Sequence, residues 1–162
     1  MKRFLLAAAA TFCMITSASA AEMPFPSDEP VAVVDWPDGW KAQETDTGVD
    51  ASSPDDSIYL AIDASETKDA GTAVTDALKY FASKGVTVDA ATEARSETKL
   101  NGLDYATITW AGKDEDGPVT ISLGVLVLGD KSLTLSYWGT QGAQDSQAAD
   151  IQKIIGSLKP AS

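Results

Sequence analysis

The stretch LDYATITWAGKDEDGPVTISLGVLVLGDKSLTLSYW, residues 103–138, decides the fold of this chain. Side chains alternate with a period of two over residues 103–111, 119–128 and 132–138. Alternation of β-branched and aromatic residues between turn residues indicates β-strands with a buried face. Towards the end of the middle segment both faces are apolar, so we expect other elements to cover the sheet from both sides.

Three turn signals connect these strands. Asn101-Gly102 precedes the first strand, and both residues tolerate the positive φ of a two-residue hairpin. A polar loop over residues 112–117 and the dipeptide Gly129-Asp130 separate the others. The polar segment 92–100 is interpreted as an exposed or edge strand. Together these segments predict a four-stranded antiparallel meander.

The remaining apolar segments supply short strands and two helices. Three or four short strands are predicted before the meander, among residues 31–35, 40–45, 49–53 and 57–64. A helix is predicted from Thr72, as N-cap, to Lys84, with Val74, Ala77, Leu78 and Phe81 on its apolar side. A second helix is predicted over residues 146–158, with Ile151, Ile154, Ile155 and Leu158 in its stripe. The predicted fold class is therefore α+β, an antiparallel sheet between two amphipathic helices in an α/β/α sandwich.

The amino terminus has the pattern of a cleaved signal peptide. Lys2 and Arg3 precede an apolar run of about twelve residues, too short to span a bilayer, and Ala18-Ser19-Ala20 follows as a cleavage site. We therefore expect residues 1–20 to be removed after Ala20, and a periplasmic or secreted protein without a membrane span. Residues 21–30, rich in proline and acids, are predicted to be a flexible leader, and residues 31–159 a single domain.

Composition excludes several classes of function. Removal of Lys2 and Arg3 leaves 10 basic against all 24 acidic residues, a net charge of −14. Such a charge repels nucleic acids and anionic lipids, so neither is an expected partner. The chain has no histidine, and its one cysteine, Cys13, lies in the signal peptide. The processed chain therefore lacks the commonest general base and transition-metal ligand, thiolate chemistry and disulfides.

Two places are candidates for binding a ligand or a partner. Trp36 and Trp40 flank the tight turn that contains Asp38. Each tryptophan either fills one end of the core, which is the favoured interpretation, or forms an aromatic rim around a ligand or partner.

The second place is the acidic run Asp114-Glu115-Asp116 in the loop between two strands of the meander. Calcium sites need six to eight oxygens held in a defined loop. The run lacks the alternating acids and the distant glutamate of an EF-hand, so a solvated hairpin tip is favoured over a cation site. No metal and no other cofactor is predicted.

The chain resembles the PsbP-like (Mog/PsbP-type) α/β/α sandwich superfamily, including its small exported bacterial members. Pro37-Asp38-Gly39-Trp40 is similar to the P-x-G-W near the start of such domains, and the order of the elements after it agrees over residues 31–159. The resemblance implies the fold more than an activity, since known members act mainly by binding, as photosystem subunits, assembly factors or a small-GTPase-binding protein. It supplies no catalytic residues, and this chain lacks the histidines that some photosynthetic members have been proposed to use with metals.

The sequence therefore predicts an exported, non-catalytic domain that binds another envelope or periplasmic protein or assists envelope assembly. Binding of a small ligand or a cation near Trp36 and Trp40 is the alternative. A carboxylate-dependent hydrolase is less favoured, because a serine nucleophile would lack a base and any pairing among 24 acids is arbitrary.

Overall fold

A computed structural model describes residues 21–65, 69–129 and 131–161. The signal peptide predicted for residues 1–20, and Asp130 of the third turn, lie outside these ranges. The described elements, in chain order, are β1 (Ala21–Phe25), β2 (Ala32–Trp36), β3 (Lys41–Glu44), β4 (Gly48–Ser52), β5 (Ile58–Ser65), α1 (Ala70–Ser83), β6 (Thr87–Leu100), β7 (Leu103–Lys113), β8 (Pro118–Leu128), β9 (Lys131–Thr140), α2 (Ala143–Ser146), α3 (Ala148–Ser157) and β10 (Lys159–Pro160).

The predicted meander forms one half of a seven-stranded antiparallel sheet. The strand order is β3-β4-β5-β9-β8-β7-β6, so β6 is an edge strand and is exposed along most of its length, as its polarity predicts. Asn101 and Gly102 both have positive φ, 52° and 84°, as the two-residue hairpin requires. The meander prediction is confirmed.

The two faces of this sheet bury different clusters of apolar side chains. Along β8, Ile121 and Leu123 pack in a cluster with Phe81 of α1. Leu126 and Leu128, at positions of the opposite parity, pack in a cluster that includes Ile154 of α3. Since side chains alternate across a strand, α1 and α3 cover opposite faces. The α+β sandwich is therefore confirmed, and so is the reason for the two-sided apolarity of β8.

The N-cap of α1 lies three residues before the predicted one. Asp69 is the N-cap, and its carboxylate accepts a hydrogen bond of 2.7 Å from the backbone N–H of Thr72. The prediction of Thr72 in this role is wrong, because Asp69 is placed to satisfy the free amides of the first turn. Phe81 is fully buried, whereas Leu78, placed by the sequence on the apolar side, is 38% exposed.

The predicted leader contributes a strand. Ala21–Phe25 pairs antiparallel with β2, and Phe25 is fully buried in the larger cluster. β10 pairs with the other edge of β2, which completes a small three-stranded sheet. The expectation of a flexible leader is therefore wrong for Ala21–Phe25, because backbone pairing and the burial of Phe25 hold this segment on the domain.

The carboxyl-terminal helix predicted over residues 146–158 corresponds to α3, and a separate short helix, α2, precedes it. The short α2 ends before Gln147, and α3 carries the buried residues Ile151 and Ile154. Leu158 follows α3 and is also fully buried. The helical stripe was thus predicted correctly, and the separate helix α2 was not. No helix of the described residues is long and apolar enough to cross a membrane.

Candidate functional site

Trp36 and Trp40 lie in the core. Their side chains are 6% and 8% exposed, and their ring centroids are 6.0 Å apart. Neither indole N–H has a hydrogen-bond partner among the described residues. The two rings therefore fill one end of the larger apolar cluster and do not form an exposed aromatic rim.

Asp38 is exposed and lines an open groove of about 660 Å³ between the end of β2 and α3, the β2–α3 groove. Asp35 and Asp150 line the same groove, with Lys153 as the one basic side chain in the lining. The Lys153 ammonium lies 3.1 Å from the Asp150 carboxylate. Three carboxylates against one ammonium give the groove a negative potential.

Ser157 holds the strand against the helix at the groove. Its hydroxyl accepts a hydrogen bond of 2.8 Å from the backbone N–H of Asp35. The same hydroxyl donates to the carbonyl of Ile154 at 2.7 Å. Asp35 and Asp150 therefore lie on two elements, β2 and α3, that hydrogen bonds of Ser157 join.

The acidic run lies at the tip of the β7–β8 hairpin, and none of its residues lines the β2–α3 groove. The Asp114 carboxylate accepts hydrogen bonds from the backbone N–H groups of Asp116 and Gly117, at 3.0 and 3.1 Å. Glu115 and Asp116 point into solvent. Among the described residues no three potential metal-ligating side chains come together. The Asp114 carboxylate thus stabilises the turn at the hairpin tip through these two hydrogen bonds.

A second polar site, which the sequence reasoning missed, lies beneath α1 on the opposite face of the sheet. The Tyr59 hydroxyl donates to the Asp50 carboxylate at 2.6 Å, and the hydroxyls of Tyr59 and Tyr80 are 3.1 Å apart. Because the Tyr59 proton is directed to Asp50, Tyr80 is the donor in the second bond. Thr47 donates to the Asp63 carboxylate at 2.7 Å.

Burial is the main cause of the shifted pKa values of Tyr59, Asp63 and Tyr80 in this second site. Burial and the neighbouring Asp50 raise the pKa of Asp63 above its ordinary value, although the hydrogen bond from Thr47 opposes that shift. Burial, followed by the hydrogen bond to Asp50, raises the pKa of Tyr59, and burial also raises the pKa of Tyr80. Both phenols therefore stay protonated at neutral pH.

Aromatic contacts fix the position of the two tyrosines. The Tyr59 ring lies 4.6 Å from the Trp138 ring, and the Tyr80 ring meets the same indole edge-on. The Lys84 ammonium lies 5.3 Å from the Tyr59 centroid and 5.4 Å from that of Tyr80, within the range of cation–π attraction.

A partial signal for this second site was present in the sequence. The placement of Ile58, Leu60 and Ile62 on one face of β5 puts Tyr59 and Asp63 on the other face. Asp50 joins them only through the register of β4 against β5, which pairs it with Ala61. That register depends on the turn between the strands and could not be read from the periodicity.

The sequence matches no family model and no curated protein. Solved structures nevertheless share its fold. The cyanobacterial PsbP (CyanoP) from Synechocystis sp. PCC 6803 is similar with a TM-score of 0.62 and 13% identity, over 94% of this chain and 98% of that one. LpqN of Mycobacterium tuberculosis, a protein involved in cell envelope biogenesis, is similar with a TM-score of 0.56 and 13% identity, over 88% and 91% of the two chains.

A protein from Bacteroides thetaiotaomicron VPI-5482 is similar with a TM-score of 0.56 and 16% identity, over 81% of this chain. The chain spans only 45% of the length of that protein. At these identities the likeness concerns the fold alone. The fold resemblance predicted from the sequence is confirmed: the chain has the PsbP-like α+β sandwich fold.

Proposed function

We propose that this chain is an exported, non-catalytic binding domain of the cell envelope, and that the β2–α3 groove docks a basic segment of a partner protein. The observation that carries this function is the groove itself, an open channel lined by Asp35 of β2, Asp38 of the turn after it and Asp150 of α3, with β2 and α3 joined by the hydrogen bond from Asp35 to Ser157. An open channel suits an extended segment better than an enclosed small molecule.

The charge of the chain favours a basic partner. The net charge is −12 for the full sequence, with 24 acidic residues. A field of that sign speeds encounter with a cationic surface and repels nucleic acids and anionic lipids. Leu78 is the one large apolar side chain exposed among the described residues, so a polar docking surface fits better than an apolar one.

Export and envelope association have separate support. Residues 1–20 have the pattern of a cleaved signal peptide. LpqN, which shares the fold, is involved in cell envelope biogenesis in its own organism. A fold does not fix a function, so the groove and the export signal carry more weight than this likeness.

The non-catalytic part of the proposal depends on the chemistry available in the chain. The sequence has no histidine, and the processed chain has no cysteine. The two carboxylates that the structure brings together under α1, Asp50 and Asp63, lie beside protonated phenols and below a helix, away from the open groove. Binding therefore fits the arrangement better than hydrolysis.

A pull-down with a charge-reversal variant tests the groove. Asp38→Lys reverses an exposed charge in the groove, and Glu115→Lys makes the same change at the hairpin tip. Each variant replaces the wild-type protein in the cell that naturally produces it. The variant and the proteins bound to it are then isolated from an extract of the cell envelope. We expect the same partner with wild-type protein and Glu115→Lys, and at least about tenfold less of it with Asp38→Lys. Loss of the partner with Glu115→Lys and its retention with Asp38→Lys would contradict this function.

A further inference from the structure

A cavity of about 360 Å³, the α1 pocket, lies between α1 and the strands β5 and β9. The side chains of its lining include Thr47, Asp63, Asp76, Tyr80, Thr134 and Ser136. The volume is within the range of small-molecule sites. The pocket lies on the face of the sheet opposite α3, so it is separate from the β2–α3 groove.

The pocket contains negative charge that is not neutralised by an ion pair among the described residues. Asp63 lines it, and Asp50, which is 8% exposed, lies close enough to raise the pKa of Asp63. No lysine or arginine among the described residues forms an ion pair with either carboxylate. Asp76 at the rim is already paired with Lys79, at 2.9 Å. Asp50 is buried and Asp63 half-buried, and each accepts a hydrogen bond from a hydroxyl but forms no ion pair, so a cation in the pocket would stabilise both carboxylates.

The side chain of Ser136 faces the same pocket, and its hydroxyl has no hydrogen-bond partner among the described residues. Ser136 is 3% exposed and lines the pocket. It pairs with Leu123 across β8–β9, which places its side chain on the face covered by α1. No hydrogen bond joins its hydroxyl to another described residue. Since this hydroxyl faces the pocket, it can form a hydrogen bond with a polar group from outside the chain.

We propose that the α1 pocket binds a small organic cation with N–H donors, a primary ammonium or a guanidinium group. Its charge would pair with the Asp63 carboxylate, and its N–H groups would donate to that carboxylate and to the hydroxyl of Ser136. Anions are repelled by Asp50 and Asp63. A bound metal ion fits less well, because the described residues bring no three metal-ligating groups together.

Calorimetric titration of the exported protein with agmatine, which carries both an ammonium and a guanidinium group, tests the pocket. We expect saturable binding to the wild-type protein. Asp63→Asn keeps the shape of the side chain and removes its charge, and should weaken binding roughly tenfold or more. Ser136→Ala removes one acceptor and should weaken binding about threefold.

Thermal melts of the ligand-free protein distinguish ligand binding from a structural role of Ser136 and Asp63, because a structural role predicts that each substitution lowers the Tm. Because the Ser136 hydroxyl has no partner without ligand, Ser136→Ala should leave the Tm of the ligand-free protein unchanged or higher. Asp63→Asn should not lower it either, since it removes an uncompensated charge. Glu97→Gln removes one negative charge in the same way at an exposed position of the edge strand β6, outside both the α1 pocket and the β2–α3 groove, so it is the matched control and should bind agmatine like the wild-type protein.

Three results would overturn the assignment: no binding of agmatine to the wild-type protein at millimolar concentration, binding that Asp63→Asn leaves intact, or equal affinity for tetramethylammonium, which has no N–H donors. The pull-down with Asp38→Lys and Glu115→Lys is independent of these results, because its variants lie outside the α1 pocket.

Discussion

At the scale of single residues, Asp55 shows how one carboxylate shapes the turn between β4 and β5. It accepts hydrogen bonds of 2.7 Å from the hydroxyls of Ser53 and Ser57, and one of 3.2 Å from the backbone N–H of Ser57. These bonds, led by that from Ser53, hold the pKa of Asp55 well below its ordinary value of 3.8. The turn sets the register that brings Asp50 opposite Ala61.

Asp55→Ala should therefore lower the Tm by a few degrees at neutral pH. A carboxyl whose pKa is lower in the folded state stabilises the protein above its unfolded pKa, and that stabilisation fades as the pH falls through 3.8 towards the folded value. The difference in Tm between wild-type protein and Asp55→Ala should thus narrow below pH 3.8. Thermal melts from neutral pH downward measure it, and a difference that widens on acidification would refute this role.

The residues of the candidate sites were predictable to different degrees. Asp38 could be singled out because turn chemistry is local, and the structure shows that it is exposed and lines a groove, whereas its part in binding stays a prediction. Its flanking tryptophans could not be assigned to core or rim from the sequence, because burial depends on what packs against them. Ser136 gave no signal at all, since an isolated serine in a strand is ordinary until its missing partner is seen.

At the scale of elements, β1 is the largest departure from the sequence prediction. Prolines at positions 24 and 26 flank Phe25 and give this segment the composition of a linker. Pro24 is tolerated because β1 is an edge strand. The burial of Phe25 then outweighs the local preference for an extended, solvated chain.

Phe25→Ala should lower the free energy of unfolding by about 3–5 kcal/mol, the range for a fully buried phenylalanine. Urea unfolding followed by tryptophan fluorescence measures it. Glu29→Ala, an exposed position in the same predicted leader, is the control and should change stability by less than about 0.5 kcal/mol. Equal stabilities of Phe25→Ala and the wild-type protein would mean that residues 21–25 form the flexible leader after all.

The Asn101-Gly102 turn also joins two elements that the sequence could not connect. The Asn101 amide donates to the carbonyls of Gly156 and Leu158 at the end of α3, at 2.9 and 3.0 Å. The turn was predicted from local chemistry, whereas its contact with a segment 55 residues later follows from the tertiary fold. Asparagine is thus used both for its positive φ and for its two amide donors.

Asn101→Asp and Asn101→Gly separate these two roles, because both residues tolerate positive φ and neither can donate from an amide. Each variant should lose about 1–2 kcal/mol of unfolding free energy, as expected for two hydrogen bonds to carbonyls that become unpaired. Denaturant titration of both variants gives the comparison. If Asn101→Gly were as stable as the wild-type protein, the two amide hydrogen bonds would contribute nothing to stability, and the positive φ of the turn would be the only role of Asn101.

At the scale of the whole molecule, the period-two and helical patterns were sufficient for the four-stranded meander and for the two covered faces of the sheet, but not for the pairing of β5 with β9. They did not reveal the small sheet, because β10 contains only Lys159 and Pro160 and pairs with β2 from the far end of the chain. The acidic charge was predictable from composition, but its concentration in the β2–α3 groove depends on α3 packing beside β2.

The most direct test of the β2–α3 groove as the docking surface is site-specific photo-crosslinking in the native cell. A photoreactive amino acid replaces Gln152, which is exposed and lines the groove, or Glu97, which is exposed on the edge strand β6. A groove that docks a basic partner predicts one discrete crosslinked adduct at position 152, lost on addition of Asp38→Lys, and none at position 97. An adduct at position 97 with none at position 152 would contradict it.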